Sequence, residues 1–376
     1  MKKYLLLLQI GCIWLGVQNA GANNLKDSTR LQSIVISKDS THFVYEHTGK
    51  PFVVWGVNYD HDAGHPSRLI EEYWNAEWYV VVADFKEIKQ LGANVVRIHL
   101  QLPKFMNSAT TVNGSSLKQL AQLLKLAETT GLYLDITGLA CYRKKDVPEW
   151  YDKMDYAARW EVQARFWEAV AKVCNKSPAI FCYDLMNEPL IPGKGHVVKE
   201  WLAGELGGYF FDQQLTLDIG DRTQKQVAKC WVDKLVEAIR KQDEKHMVTV
   251  GVIPLAYYFP GAKPLFYDKE VSSKLGFVSI HLYPKHKQVD KALAGLKLYE
   301  IGKPLIIEEM FPLECTLDDM DDFIEGGRGF ADGWVSFYWG KPIEELAKGQ
   351  FGDIYLSKWL EYFKNKSKSI VDDQNK

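Results

Sequence analysis

Two short acidic motifs in this chain each follow a run of apolar, strand-forming residues. The first is Asn187-Glu188-Pro189, which comes directly after the apolar segment 180–185. The second is the pair Glu308 and Glu309, which ends the apolar segment that begins at Leu305. A carboxylate held at the end of a buried strand suits acid–base catalysis, and two such carboxylates are what the hydrolysis of a glycosidic bond requires.

Eight short apolar runs alternate with helical patterns along the chain. Continuous apolar runs of this length are typical of parallel strands that are buried on both faces. Eight β/α units predict an α/β protein, a single (β/α)8 TIM barrel, which needs about 250 residues or more. An open doubly wound sheet is the alternative, but no Gly-rich phosphate turn follows any of the runs. The runs are Phe52–Val57, Asn94–His99, Tyr133–Thr137, Ile180–Leu185, Met247–Val252, Phe277–His281, Leu305–Glu309 and Trp334–Tyr338.

The segments outside these runs complete the predicted organisation. Residues 33–37 and 42–46 alternate around a polar turn, which predicts a short N-terminal β-hairpin. No Pro/Ser/Gly-rich linker divides the chain, so we expect one domain over residues 23–366 and a polar, frayed tail, 367–376. The long connection from Leu190 to about Thr223 is expected to be a functional loop that overhangs the active face.

The first 22 residues have the pattern of an export signal. Lys2 and Lys3 precede an apolar run from Tyr4, and a small-residue cleavage pattern ends at Ala22. The apolar run is shorter than the roughly 20 residues of a spanning helix, and no other segment resembles a membrane span. We therefore expect export to the periplasm or the exterior, with a lipoprotein anchored through Cys12 as the alternative.

The composition excludes some partners and leaves one question open. The formal net charge of −2 over 376 residues argues against bulk attraction to nucleic acid or to anionic lipid. Aromatic residues make up 13% of the chain, including twelve Trp, and both core packing and sugar stacking account for them. Of the six cysteines, the five after Cys12 lack metal-type spacing; small buried hydrophobes are the favoured interpretation, and one disulfide, which the sequence does not identify, is the alternative. We expect a monomer.

Polar residues stand at the ends of six of the predicted strands. In a barrel of this kind the active site lies at the carboxyl ends of the strands, so these side chains converge on one mouth. A structural hydrogen bond explains any one of them, but explains the whole set poorly. The set is Asn58, Arg97, His99, Asn187, Glu188, His281, Tyr283, Glu308, Glu309 and Trp339.

Taken together, these motifs resemble glycoside hydrolase family five, within the clan of retaining (β/α)8-barrel glycosidases. The resemblance spans roughly residues 49–363. It is carried by Gly56-Val57-Asn58, Asn94-Val95-Val96-Arg97, Asp184-Leu185-Met186-Asn187-Glu188-Pro189, His281-Leu282-Tyr283 and Lys303-Pro304-Leu305-Ile306-Ile307-Glu308-Glu309, with Trp339 after the last strand.

The resemblance implies a role for each matching residue. Glu188 is implied as the acid/base and Glu309 as the nucleophile of a double displacement. Asn187 would hydrogen-bond the sugar 2-hydroxyl. The remaining residues would orient the nucleophile or contact the sugar: Arg97 and Tyr283 beside Glu309, His281 near the acid/base or a sugar hydroxyl, Trp339 as the floor of a subsite, and Asn58 and His99 as further polar contacts.

Two details of the resemblance need a decision. Adjacent strand residues point to opposite faces, so only one of Glu308 and Glu309 is expected at the mouth, and the family's pattern favours Glu309. Many members also carry a histidine near the end of the third strand. Here Tyr142 or Arg143 takes that place, or the contact is absent.

The leading hypothesis is an exported, retaining β-glycosidase that needs no cofactor or metal and acts on a β-linked glucan or mannan, or on its oligosaccharides. A glycosidase acting on a glycoconjugate, marked by an apolar channel near Tyr209–Phe211, and a carbohydrate-binding barrel without turnover are the alternatives. A loop cluster, Asp60-His61-Asp62 with His65, has metal-ligand residue types but lacks a distant third ligand set. No Gly-x-Ser-x-Gly elbow is present, which argues against a serine hydrolase.

Overall fold

A barrel of parallel strands organises the part of the chain that the structure describes. The computed structural model describes residues 31–59, 68–259, 261–337 and 339–371. The predicted signal peptide, Cys12 and the Asp60–His65 loop cluster lie outside these residues.

Fourteen strands are formed within the described residues. Nine strand segments form one sheet in the order β10-β6-β5-β4-β3-β14-β13-β12-β11, and every neighbouring pair in it is parallel. β10 and β11 are consecutive pieces of one strand; the first pairs with β6 and the second with β12, so that strand closes the barrel. The predicted (β/α)8 barrel is confirmed. The strands are β1 (Ile34–Ile36), β2 (Phe43–Tyr45), β3 (Val54–Asn58), β4 (Val95–Gln101), β5 (Tyr133–Ala140), β6 (Ile180–Asp184), β7 (Pro189–Leu190), β8 (Leu202–Leu206), β9 (Tyr209–Gln214), β10 (Met247–Thr249), β11 (Gly251–Val252), β12 (Val278–His281), β13 (Leu305–Met310) and β14 (Gly333–Ser336).

Helices follow the barrel strands, and local sequence explains where several of them begin. The Asp155 side chain accepts a hydrogen bond from the Ala158 N–H, and Thr223 and Gln226 form a reciprocal capping box at the next long helix. Two 3-10 turns lie at 144–146 and 271–274. The α-helices are α1 (Ile70–Tyr73), α2 (Trp78–Gln90), α3 (Leu102–Phe105), α4 (Gly114–Thr130), α5 (Glu149–Asp152), α6 (Tyr156–Cys174), α7 (Gln224–Arg240), α8 (Leu255–Tyr258), α9 (Val289–Lys297), α10 (Leu317–Gly327), α11 (Ile343–Leu346) and α12 (Phe351–Val371).

The N-terminal hairpin, also confirmed, packs against the amino-terminal end of the barrel. β1 and β2 pair antiparallel, and the Phe43 ring on β2 lies 5.0 Å from that of Phe181 and 5.2 Å from that of Phe277. Phe181 is the second residue of β6 and Phe277 precedes β12. The hairpin therefore covers the end of the barrel opposite the strand ends that carry the predicted site.

The long connection after β6 forms a small sheet and not the loop that the sequence predicts. β7, β9 and β8 lie side by side, with β9 parallel to β7 and antiparallel to β8. The Tyr209 and Phe211 rings, two residues apart on β9, stack on one another and pack against Tyr142, so this face of the strand is packed. This insert sheet begins one residue after Glu188 and so extends directly from the predicted acid/base.

The prediction of a polar, frayed C-terminal tail is wrong over its first residues. α12 continues to Val371, and both Ser367 and Ile370 are buried. With Trp359 and Phe363 they recur every three or four residues, which places them on one packed face of the helix. The boundaries of the domain otherwise stay predictions.

The structure tests the expected burial of the cysteines and the expected absence of a further membrane span. Cys141, Cys174 and Cys182 are buried as expected, whereas Cys230 is exposed and Cys315 is half-buried, and all five are free thiols. Among the described residues, no helix combines the length and the apolar character needed to cross a membrane.

Candidate active site

Arg97 is the centre of the site and is completely buried. It stands on β4, and its Nη1 donates to Glu309 Oε1 at 2.6 Å and to Asn58 Oδ1 at 3.0 Å. Its Nη2 donates to Asp184 Oδ2 and to Asn187 Oδ1, both at 2.9 Å. One guanidinium thus connects side chains from β3, β6, β13 and the Asn-Glu-Pro turn, so the predicted strand-end residues do converge.

A β-bulge lets both adjacent glutamates approach this centre. The β12–β13 register pairs Ile280 with Ile307 and then His281 with Glu309, so Glu308 is the extra residue. Glu308 Oε2 lies 3.5 Å from Arg97 Nη2 and 3.1 Å from His281 Nε2. The bulge breaks the strict alternation of a regular strand, so both carboxylates reach the Arg97 guanidinium.

Exposure separates the two glutamates. The Glu308 side chain is 0% exposed, whereas that of Glu309 is 7% exposed and that of Glu188 is 14% exposed. Glu309 Oε2 accepts from the Tyr283 hydroxyl at 2.7 Å. Glu309 is therefore the one that a substrate at the mouth can reach, while Glu308 lies beneath it.

Glu188 and Glu309 face one another across His281. His281 Nδ1 lies 2.7 Å from Glu188 Oε1 and 3.5 Å from Glu309 Oε1. One oxygen of each carboxylate and one ring nitrogen all lie within 4.8 Å of one another. These donor types also suit a metal ion, but the Arg97 guanidinium already supplies the positive charge at Glu309.

The backbone around Glu188 is fixed by Gly251 on β11. The Glu188 N–H donates to the Gly251 carbonyl at 3.0 Å, and the Gly251 N–H donates to Asp184 Oδ1 at 2.8 Å. Glu188 has φ +47°, a left-handed conformation that costs a non-glycine residue about 1–3 kcal/mol. The neighbouring contacts hold the acid side chain in this otherwise sparsely populated conformation.

Burial and paired charges set the ionisation of the site. Burial raises the pKa of Glu188, but the hydrogen bond and charge of His281 outweigh it and leave that pKa below its usual value. Burial lowers the pKa of His281, but Glu309 and the hydrogen bonds to Glu188 and Glu308 raise it to about 10. Burial raises the pKa of Glu309 against the charges of His281 and Arg97. Because donors occupy both Glu309 oxygens, the geometry is that of an ionised carboxylate.

Asn58 and His99 lie behind the site rather than at its surface. Asn58 Nδ2 donates to the Ser336 carbonyl at 3.0 Å, and its Oδ1 faces His99 Nε2 at 3.1 Å. The other nitrogen of His99 contacts the Tyr142 hydroxyl. Of the two residues considered for the third-strand position, Tyr142 contacts the buried polar set through His99, whereas Arg143 forms an ion pair with Glu72.

The structure does not bring Trp339 to the carboxylates. Its indole is 2% exposed, packs 5.3 Å from the Tyr59 ring, and lines a groove with Glu87 and Gln90 on α2, outside the barrel. The position differs from the expected one because β14 ends at Ser336, so its alternation does not extend to Trp339.

Phe337 instead points to the mouth. The Ser336 hydroxyl accepts from Trp359 Nε1 on α12, so Ser336 faces outward and its neighbour Phe337 faces inward. The Phe337 ring lies 6.0 Å from the Tyr283 ring, edge to face. This residue and Asp212, a half-buried carboxyl on β9 that hydrogen-bonds Glu188, were missed from the sequence.

Gly251 is expected to tolerate no side chain. A Cβ at this position would lie 2.3 Å from Glu308 Oε2 and 2.6 Å from His281 Nε2. We expect Gly251→Ala to lower the free energy of unfolding by about 1–3 kcal/mol, as overpacking of a tight site does. The midpoint of urea unfolding measures this.

A matched glycine controls for the added methyl group. At Gly276 the nearest atom to an added Cβ is the flexible end of Ile36, at 3.2 Å. Gly276→Ala is therefore expected to unfold close to the wild-type midpoint. Equal midpoints for Gly251→Ala and the wild type would contradict the close approach at Gly251.

Comparison with known proteins decides the family. The model of the family Cellulase (glycosyl hydrolase family 5) matches residues 47–309, well over half of the chain. The chain belongs to glycosyl hydrolase family 5. This member of the family is therefore a glycoside hydrolase, and the matched region ends at Glu309. A search of curated proteins found no match.

Solved structures share the fold of this family 5 enzyme at low sequence identity. The exo-β-1,4-mannosidase Op5Man5 from Opitutaceae bacterium strain TAV5 has a TM-score of 0.66 and 14% identity, over 90% of this chain and 63% of that one. The enzyme thus spans less than two thirds of that neighbour. The β-1,4-mannanase of the sea hare Aplysia kurodai has a TM-score of 0.59 and 16% identity, over 89% and 97%.

A third neighbour was solved with a disaccharide. A single-residue variant of GH5_18 from Streptomyces cattleya, in complex with Manβ1-4GlcNAc, has a TM-score of 0.54 and 16% identity, over 77% of this chain and 71% of that one. At these identities the three likenesses establish the barrel alone.

Proposed function

We propose that this family 5 enzyme is a retaining β-glycosidase that cleaves β-mannosidic bonds in mannan or its oligosaccharides. The observation that carries the mechanism is the pair Glu188 and Glu309, whose nearest oxygens lie within 4.8 Å. Retaining enzymes hold their two carboxyl groups about 5 Å apart, whereas inverting enzymes need about 6.5–9.5 Å to admit a water.

The contacts of each carboxylate support its role in this mechanism. Glu309, held by Arg97 and Tyr283, attacks the anomeric carbon and forms a glycosyl-enzyme. Glu188 protonates the departing oxygen and later takes a proton from the incoming water. Asn187 uses one N–H on the Phe211 carbonyl at 3.0 Å, which leaves the second N–H of its amide for the sugar.

The structural neighbours support mannose as the sugar, and the packing of the aromatic residues supports a free glycan over a lipid-linked one as the substrate. Two of the three neighbours described above are named for β-mannosidic substrates, and the third was solved with Manβ1-4GlcNAc. Tyr209 and Phe211 stack on one another and pack against Tyr142, so these rings contact protein groups. That packing favours a sugar substrate over a lipid-linked one. Export through residues 1–22 is part of the proposal.

Product analysis on matched polymers tests the proposal. We expect the protein to release sugars from β-1,4-mannan and manno-oligosaccharides, with less from carboxymethyl cellulose, xylan and Manβ1-4GlcNAc. A ladder of products indicates internal cleavage, and a single small sugar indicates cleavage from an end. Proton NMR of the first product formed should show the β-anomer; the α-anomer would exclude retention, and activity confined to glucan would exclude the mannoside assignment.

A further inference from the structure

Asp212 lies beside the acid/base because of strand register. β7 and β9 are parallel, with Pro189 opposite Gln213 and Leu190 opposite Gln214. Glu188 and Asp212 are the residues that directly precede Pro189 and Gln213. The hydrogen bond from Asn187 Nδ2 to the Phe211 carbonyl, at 3.0 Å, joins the two residues before them. The Glu188 and Asp212 carboxyls are thereby brought within hydrogen-bonding reach, and each acts on the pKa of the other.

A hydrogen bond between two carboxyl groups requires a proton on one of them. Ionised carboxylates only accept, and two of them in contact repel. The pair of Glu188 and Asp212 therefore holds one proton between its members, as carboxyl pairs in other enzymes do.

The surroundings place that proton on Asp212. His281 faces carboxylate oxygens with both ring nitrogens, at 2.7 Å to Glu188 and 3.1 Å to Glu308, which suits an imidazolium that donates to both. Glu188 then accepts from His281 and from Asp212. Burial, followed by the neighbouring Glu188, raises the pKa of Asp212 to about 8. The other charged or titratable groups that act on the pair are Arg97, Glu309 and Tyr258.

The insert sheet holds the Asp212 carboxyl in place. On β8 the register partner of Asp212 is Ala203, and the next residue, Gly204, has φ +62°. A Cβ at Gly204 would lie 2.5 Å from Asp212 Cγ, so the carboxyl rests directly on this glycine. The close approach leaves no room for a side chain at this point of β8.

We propose that Asp212 is a positioning residue that stores the proton which Glu188 delivers to the leaving group. The inference rests on the acid/base role proposed for Glu188. In the first step the proton moves from Asp212 to Glu188 and from Glu188 to the glycosidic oxygen, while Glu309 forms its bond to the anomeric carbon and the bond from that carbon to the glycosidic oxygen breaks. In the second step water adds to the anomeric carbon, the bond to Glu309 breaks, Glu188 takes the proton from that water, and a proton returns to Asp212, so the protons balance over one turnover.

Asp212→Asn tests the stored proton. We expect kcat/KM for methoxyphenyl β-mannobioside, which has a poor leaving group, to fall about 10- to 100-fold near neutral pH, less than the roughly 10²- to 10⁴-fold that general acid–base catalysis contributes, because Glu188 itself remains. The dinitrophenyl analogue needs no protonation and should lose less than about threefold. The alkaline limb of the pH profile should move to lower pH, because an asparagine cannot supply the proton that Asp212, with its pKa raised to about 8, holds near neutral pH.

Two controls separate this role from a structural one. Glu205→Gln removes a carboxylate of the same hairpin, where Glu205 accepts from the Gly208 N–H at the turn. It should leave the profile and the leaving-group dependence unchanged. Equal losses on both aryl substrates in Asp212→Asn, or an unmoved alkaline limb, would overturn the proposal.

Two alanine variants test the same point without changing any charge. Gly204 and Gly207 both have φ +62°, but an added Cβ meets Asp212 only at Gly204 and nothing within 4 Å at Gly207. The backbone strain is therefore matched. We expect Gly204→Ala to reproduce the shift seen in Asp212→Asn and Gly207→Ala to match the wild type; identical profiles for the two would count against the proposal.

Covalent trapping distinguishes failure of this inference from failure of the proposed function. A dinitrophenyl fluoro-mannobioside should label the wild type and Asp212→Asn alike, because its leaving group departs unprotonated. Labelling of both with an unmoved profile in Asp212→Asn would refute the stored proton alone. Absence of labelling in the wild type would refute the retaining mannosidase.

Discussion

Replacing Glu309 with alanine is expected to lower kcat by about 10⁴-fold or more, as the removal of a catalytic nucleophile does. Added azide should restore turnover, because it enters the space that the carboxylate leaves and attacks the anomeric carbon from the same side. The product would be an α-glycosyl azide, which chromatography and NMR identify. The effect is large because Arg97 and Tyr283, at 2.6 and 2.7 Å, hold this carboxylate at the mouth.

The adjacent glutamate provides the sharpest control for this prediction. Glu308 is also within reach of Arg97, so a loss of activity on its replacement would not by itself identify the nucleophile. A fluoro-mannobioside should attach to Glu309 and not to Glu308, which tandem mass spectrometry of the labelled peptide resolves. A label on Glu308, or rescue by azide in Glu308→Ala and not in Glu309→Ala, would assign the roles the other way round.

The barrel was predictable from sequence because its strands are buried on both faces. Each of the eight predicted runs overlaps a barrel strand, with ends that differ by at most three residues. The fifth run, 247–252, forms two strand segments, β10 and β11, which pair with different neighbours. A continuous apolar run indicates that a strand is buried, but it does not indicate with which neighbouring strand each residue pairs.

The catalytic candidates could be predicted from the sequence for a related reason. Glu188 follows the carboxyl end of β6 and Glu309 lies near that of β13, and parallel strands bring these ends together around Arg97 on β4. The bulge at Glu308 could not be predicted from the sequence, since it depends on the register between β12 and β13. The outward position of Trp339 likewise follows from where β14 ends.

Asp212 shows where sequence reasoning stopped. Its partner Glu188 lies 24 residues earlier, and only the parallel pairing of β7 with β9 brings the two together. A signal was present, because Tyr209-Phe210-Phe211-Asp212-Gln213-Gln214 has the aromatic and polar residues of a half-buried strand. A lone acidic residue within such a strand, in a segment attached directly to the acid/base, marks a candidate for the site.

The second large effect that we expect is a loss of folding stability when Arg97 is replaced. Its guanidinium lies among the carboxylates of Asp184, Glu308 and Glu309, at 2.9, 3.5 and 2.6 Å, with no exposure to solvent. Arg97→Met would leave these buried charges without their cation, which typically costs about 3–5 kcal/mol. We expect a loss of that size in the free energy of unfolding near neutral pH, measured by urea denaturation, together with loss of activity.

The pH dependence of that loss identifies its cause. Burial raises the pKa of Glu308, but Arg97 and His281 lower it to about 2, so Glu308 stabilises the wild type above the unfolded pKa of about 4.3 and ceases to do so as the pH falls towards 2. In Arg97→Met the lowering of the Glu308 pKa by Arg97 is lost, so burial raises that pKa with less opposition. Once protonated, the Glu308 carboxyl can stay buried without a cation. The difference between variant and wild type should therefore shrink from neutral pH down to about pH 4. Arg159→Met is the control, since that buried guanidinium lies over the Trp201 ring, 4.9 Å from its centroid. A loss of stability in Arg97→Met that is equal at all pH values would show that lost packing, and not uncompensated charge, destabilises the site.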